Sequence, residues 1–306
     1  MKKQQTTGLR GAAKDVPTIV AQACDKVNGF GELIQEMERS IVINGKSSSM
    51  FDNYSRQLAH LALYYGVLPV DLTAAQVTDY LYKLKTSDNV SKSFFRFTVF
   101  GLRYVCKMRG LEYDQFRLPT IKHEKKLPVV LSESEVKEIL QIPRTLEQKL
   151  IISLLYGCGL RIGELCGLER SHVNLGRGML HVCHGKGAKD RYIPLGKMLC
   201  RGLKTYLNVV NPVKYLFEHR EATMVSRASI STLLKKTAQQ AEILKPMYAH
   251  LLRHTFATHL IENGENIMTV KDLMGHERIE TTMIYLHVAR PSKGKTISLL
   301  DTLYDK

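Results

Sequence analysis

From Phe30 onward the apolar positions of the chain fall at helical spacing. Leu33, Ile34, Met37 and Ile41 share one face of a first helix, which Gly45-Lys46-Ser47-Ser48-Ser49 ends. The serines there can cap a second helix carrying Tyr54, Leu58, Leu61 and Ala62. Asp71-Leu72-Thr73 opens a third with Val77, Tyr80, Leu81 and Leu84. A fourth runs from about Ser91 to Met108 and stops at Gly110. Residues 30–115 therefore read as a small all-helical domain behind a polar, weakly patterned and flexible lead-in over 1–29. Pro119 to Pro128, with Lys122-His123-Glu124-Lys125-Lys126 between them, marks a linker over 116–128. Ser132-Glu133-Ser134-Glu135 then caps a helix leading into a second domain, 129–306. Its one clear β element is a hairpin. Gly178 to His184 and Arg191 to Leu195 flank the turn Gly185-Lys186-Gly187-Ala188-Lys189-Asp190. From 197 onward the periodicity is helical again. The fold class is mainly α with a small β-hairpin.

Length and charge narrow the partners. The 306 residues suffice for two compact domains. A net charge of +15, with a basic excess in both halves, asks for a polyanion. No apolar run approaches the ~20 residues that a membrane-spanning helix needs, and no apolar segment follows Met1-Lys2-Lys3 as in a secretory signal. Nucleic acid, not a membrane, is the expected polyanion, and a solubility surplus is the other reading of the charge. Cys24, Cys106, Cys158, Cys166, Cys183 and Cys200 form no CxxC pair and read as buried free thiols of a reducing cytoplasm. On the fourth helix Lys92, Arg96, Arg103 and Lys107 fall within about 60° of one another at ~100° per residue. Phe94, Phe95, Val99, Leu102, Val105 and Cys106 take the opposite side. A solvated face usually mixes signs, because opposite charges at i,i+4 attract, so this all-positive stripe suits phosphates.

Four segments of the second domain carry chemistry: Tyr156-Gly157-Cys158-Gly159-Leu160-Arg161-Ile162-Gly163-Glu164-Leu165, the turn with Lys186, His250-Leu251-Leu252-Arg253-His254, and Gly275-His276-Glu277 through Ile284-Tyr285. Alone, each has an ordinary reading. Arg161 with Glu164 can be an i,i+3 surface pair, and Gly185-Lys186-Gly187 lacks the GxxxxGK[ST] of a phosphate-binding loop. His250 and His254 have zinc spacing but no HExxH glutamate, and Arg253 adds positive charge beside them. His181-Val182-Cys183-His184 offers ligand-type residues, but alternation along a strand sends them to opposite faces. No metal and no cofactor is expected.

As a set, in this order and spacing, Arg161, Lys186, His250, Arg253, His276 and Tyr285 resemble the catalytic pattern of the tyrosine recombinases, the phage-integrase and Xer family. The match extends through GCGLRIGELCGL, GKGAKDRYIPL, HLLRHTFATHL and LMGHERIETTMIYLHV and covers roughly residues 30–290. Gly163 stands where many relatives have serine. The resemblance implies a helical core-binding domain and a mixed α+β catalytic domain that close like a clamp on duplex DNA. It also implies metal-independent strand cleavage with Tyr285 as nucleophile, Arg161, Arg253 and His276 on the phosphate, and Lys186 as acid for the leaving 5′-oxygen. His250 is then the proton acceptor for Tyr285, since an imidazole pKa near ~6.5 suits that task, and Glu164 orients Arg161. His254 and His259 read as structural. The assembly implied is a homotetramer, or a heterotetramer with a related recombinase, exchanging strands through a Holliday junction. The role would be Xer-like or that of a mobile element. Two other classes stay open here: a type IB topoisomerase-like enzyme, and a non-catalytic DNA-binding descendant.

Overall fold

In the computed structural model, residues 18–87, 90–111, 118–121, 127–183, 190–219 and 222–289 are described. The chain divides into two compact units, Met1–Glu124 and Lys125–Lys306. Together they are mainly helical with a small sheet.

The first unit contains α1 (Ile19–Lys26), α2 (Phe30–Ile43), α3 (Ser48–Tyr65), α4 (Ala74–Thr86) and α5 (Lys92–Met108). Each expected cap is present. Ser47 accepts from the Met50 amide, Ser91 from the Phe94 amide, and Thr73 exchanges bonds with Gln76 in a capping box. The periodic residues Leu33, Met37, Ile41, Leu58, Leu61 and Leu102 are fully buried in one core. The lead-in departs from expectation. Residues 19–26 form α1, capped by Thr18, with Ala23 and Val27 buried in that core. Eight residues with two small apolar anchors show too little periodicity to read as a helix, and such a helix depends on tertiary packing for its stability. Part of the expected linker also belongs to this unit. Leu118 and Ile121 pack on its core, and residues 122–126 lie outside the described set.

The second unit begins with α6 (Glu133–Gln141), closed by a Ser132–Glu135 capping box, then α7 (Leu146–Gly157) and α8 (Ile162–Cys166). A 3₁₀ turn, Arg170–His172, leads to β1 (Val173–Asn174), β2 (Met179–Val182) and β3 (Arg191–Pro194), an antiparallel sheet in that order. The hairpin register pairs Leu180 with Ile193, both buried, and His181 with Tyr192 on the other face. After α9 (Lys197–Val210) comes a two-stranded ladder, β4 (Glu218–His219) and β5 (Thr223–Met224), followed by α10 (Arg227–Gln240), α11 (Ala249–Glu262), α12 (Ile267–Met274) and α13 (Glu280–Met283). Strands β1, β4 and β5 are two residues long and show no alternation to detect.

Helix α11 is buried on most sides and organises this unit. Thr255 accepts the Leu131 amide, while His259 lies 3.0 Å from both the Leu131 carbonyl and the Tyr156 hydroxyl. The carbonyl can only accept, so His259 donates from Nε2 and accepts the Tyr156 proton at Nδ1. No helix among the described residues is long and apolar enough to cross a membrane. All six cysteines are free. Cys106, Cys158 and Cys166 are buried as expected, Cys183 and Cys200 half-buried, and Cys24 exposed.

Truncating Leu102, with no exposed surface, should cost about 2–5 kcal/mol in urea unfolding. Val42→Ala, at a side chain 70% exposed, should stay within about 0.5 kcal/mol.

Candidate active site

The site starts where α7 ends. Gly159 takes φ +57°, a left-handed conformation that turns the chain toward Arg161, the N-cap of α8. At the third helical position Glu164 folds its carboxylate back to accept the Arg161 amide at 2.9 Å, satisfying one of the first-turn donors that a helix leaves unpaired. The same carboxylate gathers the guanidinium groups. Arg161 Nη1 donates to Oε1 at 2.7 Å, and Arg191 donates bidentately at 3.0 and 2.8 Å. Arg253 Nη1 stands 4.0 Å from Oε2. Burial alone would raise the Glu164 pKa. The hydrogen bonds and charge of Arg191, with both Arg161 donors, outweigh it and hold the group at about 2.

Arg253 projects from α11 and is almost completely buried. It donates to the carbonyls of Gly159 and Met274, so one guanidinium ties the end of α7 to the end of α12. Burial, and next the Arg161 charge, lower its pKa to about 9, which leaves it protonated at neutral pH. Arg161 is the more accessible of the two and also reaches the Gly275 carbonyl at 3.4 Å. Gly275 has φ +59°, and a Cβ there would stand 3.1 Å from Arg191 Cδ and Nη1.

Tyr285 is 2% exposed, among Phe256, Ala257, Val270 and Met274. Its hydroxyl lies 2.9 Å from His254 Nδ1. Burial raises the phenol pKa, while the charges of Arg253 and Arg161 pull it down. His276 places its ring nearly parallel to Tyr285, 13° apart with centroids at 6.4 Å, and its Nδ1 is 2.9 Å from Thr282 Oγ1. His250 packs edge-on against His254 at 5.2 Å. All three imidazoles are held neutral, by burial first. His250 next feels Arg253 and Arg161, His254 (about 4) feels His250 and Arg253, and His276 (about 3) feels Arg253 and Arg161.

Arg161, Glu164, His250, Arg253, His276 and Tyr285 thus form one cluster, and Lys186 lies outside the described residues. Two participants were not anticipated. Arg191 supplies the bidentate partner of Glu164; its one sequence signal is its place at the start of the strand after the Lys186 turn. The Tyr285 hydroxyl meets His254, not His250, because position 254 lies one helical turn further along α11 toward α12 and α13. In the first unit, Lys92 and Lys107 of the basic stripe are exposed. Arg103 is diverted to the Leu118 and Pro119 carbonyls at 3.3 and 2.7 Å. Arg96 lies over the Phe97 ring, and its buried Nε has no hydrogen-bond partner among the described residues.

Residues 129–291 match the model of the phage integrase family. Tyrosine recombinase XerA of Thermococcus kodakarensis is 34% identical over 263 residues, 84% of this chain and 91% of that relative. Tyrosine recombinase XerD of Staphylococcus aureus (strain Mu50) is 32% identical over 280 residues, 84% of this chain and 94% of that relative. Among solved structures, XerH site-specific recombinase bound to difH substrate in a pre-cleavage complex superposes with a TM-score of 0.64 at 18% identity, over 88% of this chain and 90% of that one. The Tn1549 transposon integrase in complex with circular intermediate DNA gives 0.65 at 17% identity, over 89% and 98%. At those identities the likeness is one of fold.

Two outcomes follow from the geometry. Gly159→Ala forces a Cβ against the Phe256 ring at a positive φ and should displace the carbonyl that Arg253 uses. Its thermal midpoint should fall, whereas Gly196→Ala, which meets open space, should leave it within a degree or two. The second concerns acid. His254 and His276 bind protons less readily folded than at the ordinary 6.5, so the unfolded state takes up more protons as pH falls below 6.5. Stability in urea titrations should therefore decline from pH 6.5 toward 4. Glu164, depressed from 4.5 to about 2, adds a further loss below 4.5. His276→Gln should flatten the upper limb and Glu164→Gln the lower.

Proposed function

The chain belongs to the phage integrase family and is a tyrosine-type site-specific recombinase, and on that premise we propose that it cuts and rejoins duplex DNA through a 3′-phosphotyrosine at Tyr285. The observation that carries this reading is the convergence of Arg161 and Arg253 on the buried Glu164, with both arginine charges felt at the Tyr285 phenol. Attack of the phenol oxygen on phosphorus forms an ester that conserves the energy of the broken phosphodiester for religation. The Arg161 and Arg253 guanidiniums stabilise the charge developing on the non-bridging oxygens, and His276 supplies a further donor. Lys186 protonates the leaving 5′-oxygen. Neutral His254, in contact with the hydroxyl, is placed to accept the phenol proton; His250, one ring beyond it, responds to the same two arginines. Glu164 acts by positioning, holding Arg161 against α8. No step requires a metal or a cofactor.

In the arrangement described here the nucleophile is shielded. Tyr285 follows a four-residue helix, and a phosphodiester reaches its oxygen only after that segment moves. DNA is the substrate, gripped in part through Lys92 and Lys107. Four protomers exchange strands pairwise through a Holliday junction, all of this chain or with a related recombinase. The six free thiols suit a reducing cytoplasm.

The test uses a nicked duplex carrying the DNA sequence that the purified protein protects from nuclease. The native chain should form a covalent adduct without added Mg²⁺, and Tyr285→Phe should bind this duplex unchanged yet form none. An adduct of undiminished yield from Tyr285→Phe would remove it as the nucleophile.

A further inference from the structure

On the other side of the hairpin from Arg191 lies a second cluster that the reaction above does not use. The register pairs Val182 with Arg191, so Cys183 and Asp190 are the next pair outward, one at each end of the segment 184–189 that carries Lys186. The alternation that turns Val182 inward brings His181 and Cys183 to one face, so the expected separation of ligand-type residues holds for immediate neighbours but not for these two. His181 stacks on Tyr192 at 4.5 Å and 10°, which fixes its ring plane. Its Nδ1 and Nε2 are 3.3 and 3.6 Å from Cys183 Sγ, and Nε2 is 3.2 Å from Asp190 Oδ2. One donor atom from each of the three residues lies within 4.8 Å of the others.

We propose that His181, Cys183 and Asp190 bind a divalent ion of the zinc type, which clips together the two ends of the segment bearing Lys186. Zinc bonds of about 2.3 Å to sulfur and about 2.0–2.2 Å to nitrogen and oxygen, at tetrahedral angles, put ligand nitrogen about 3.6 Å from sulfur and about 3.3 Å from oxygen. The Asp190 separation of 3.2 Å matches, whereas Cys183 Sγ lies toward the Nδ1 side of the ring and joins the ion on Nε2 only by turning about its Cα–Cβ bond to another staggered rotamer. One thiolate, one imidazole and one carboxylate select a borderline-soft ion over magnesium or calcium, which take oxygen ligands. The fourth position is left to water.

The surroundings suit a bound thiolate. His172 Nδ1 accepts the Glu169 amide at 3.1 Å, so the neutral ring carries its proton on Nε2, 3.4 Å from Cys183 Sγ. That N–H donates to the sulfur, the kind of outer contact that orients a metal ligand. His172 is therefore a positioning residue and not a ligand. The ion serves structure, fixing where the Lys186 segment leaves and rejoins the sheet, and takes no part in phosphoryl transfer.

The experiment is a titration of the full-length chain, stripped with EDTA and exchanged into metal-free reducing buffer, with Co²⁺. One equivalent should bind, giving a thiolate-to-cobalt charge-transfer band in the near ultraviolet and tetrahedral ligand-field bands in the visible, both removed by Zn²⁺. Cys183→Ser should lose the charge-transfer band, while Cys24→Ser keeps it. His172→Gln should keep the band at an affinity about 10–100-fold weaker. The wild-type titration decides by itself whether the ion binds, since no thiolate band up to millimolar Co²⁺ overturns the proposal. A band that survives in Cys183→Ser overturns the assignment to this site. If Cys183→Ser does not fold, Asp190→Asn replaces it, and an unchanged affinity there counts equally against the site. None of these readouts depends on DNA cleavage.

Discussion

The catalytic unit depends on one carboxylate. Glu164 sits where three guanidinium groups from α8's N-cap, β3 and α11 converge, and none of the three could be buried there without a counter-charge. Because Glu164 is also the third residue of α8, the same side chain that closes a helix turn fixes the positions of Arg161 and Arg191. Arg253 extends the network by bonding the carbonyls at the ends of α7 and α12. Separate pieces of the chain are thereby locked by charge-assisted hydrogen bonds, which carry more direction than apolar contact does.

The network is deliberately incomplete. Three arginines face one carboxylate, so the pocket keeps an excess of two positive charges. A phosphodiester supplies one negative charge, and its pentacoordinate transition state supplies two. In the proposed reaction that imbalance favours the transition state over the bound ground state, the differential on which catalysis rests. Burial first, and the same field after it, lower the pKa values of His250, His254 and His276. The field also lowers the cost of ionising Tyr285 against the burial that raises it. Burial of the phenol opposes that field.

Much of this was legible in the chain itself. The helices of the first unit follow from apolar spacing and from Ser47, Thr73 and Ser91, because capping and periodicity are local properties. The hairpin follows from alternation on both sides of a glycine-rich turn. Arg161, Glu164, His250, Arg253, His276 and Tyr285 followed from the resemblance of their order and spacing to the tyrosine recombinase pattern, whereas Arg191 and His254 did not. Helix α1 and the two-residue strands did not, since α1 draws its stability from tertiary packing and each strand leaves too few residues for a period to show.

The sequence by itself determined which chemistry is available: a phenol, arginines, imidazoles and a lysine, on elements whose type their own residues dictate. Tertiary structure alone decided who meets whom. It brought Arg191 onto Glu164, 27 residues away, and His254 onto Tyr285, 31 residues away. It turned Arg103 of the basic stripe aside to two backbone carbonyls. The first two pairings depend on the packing of whole helices around α11, where a buried donor takes whichever acceptor the packing brings within reach. No local pattern encodes that choice.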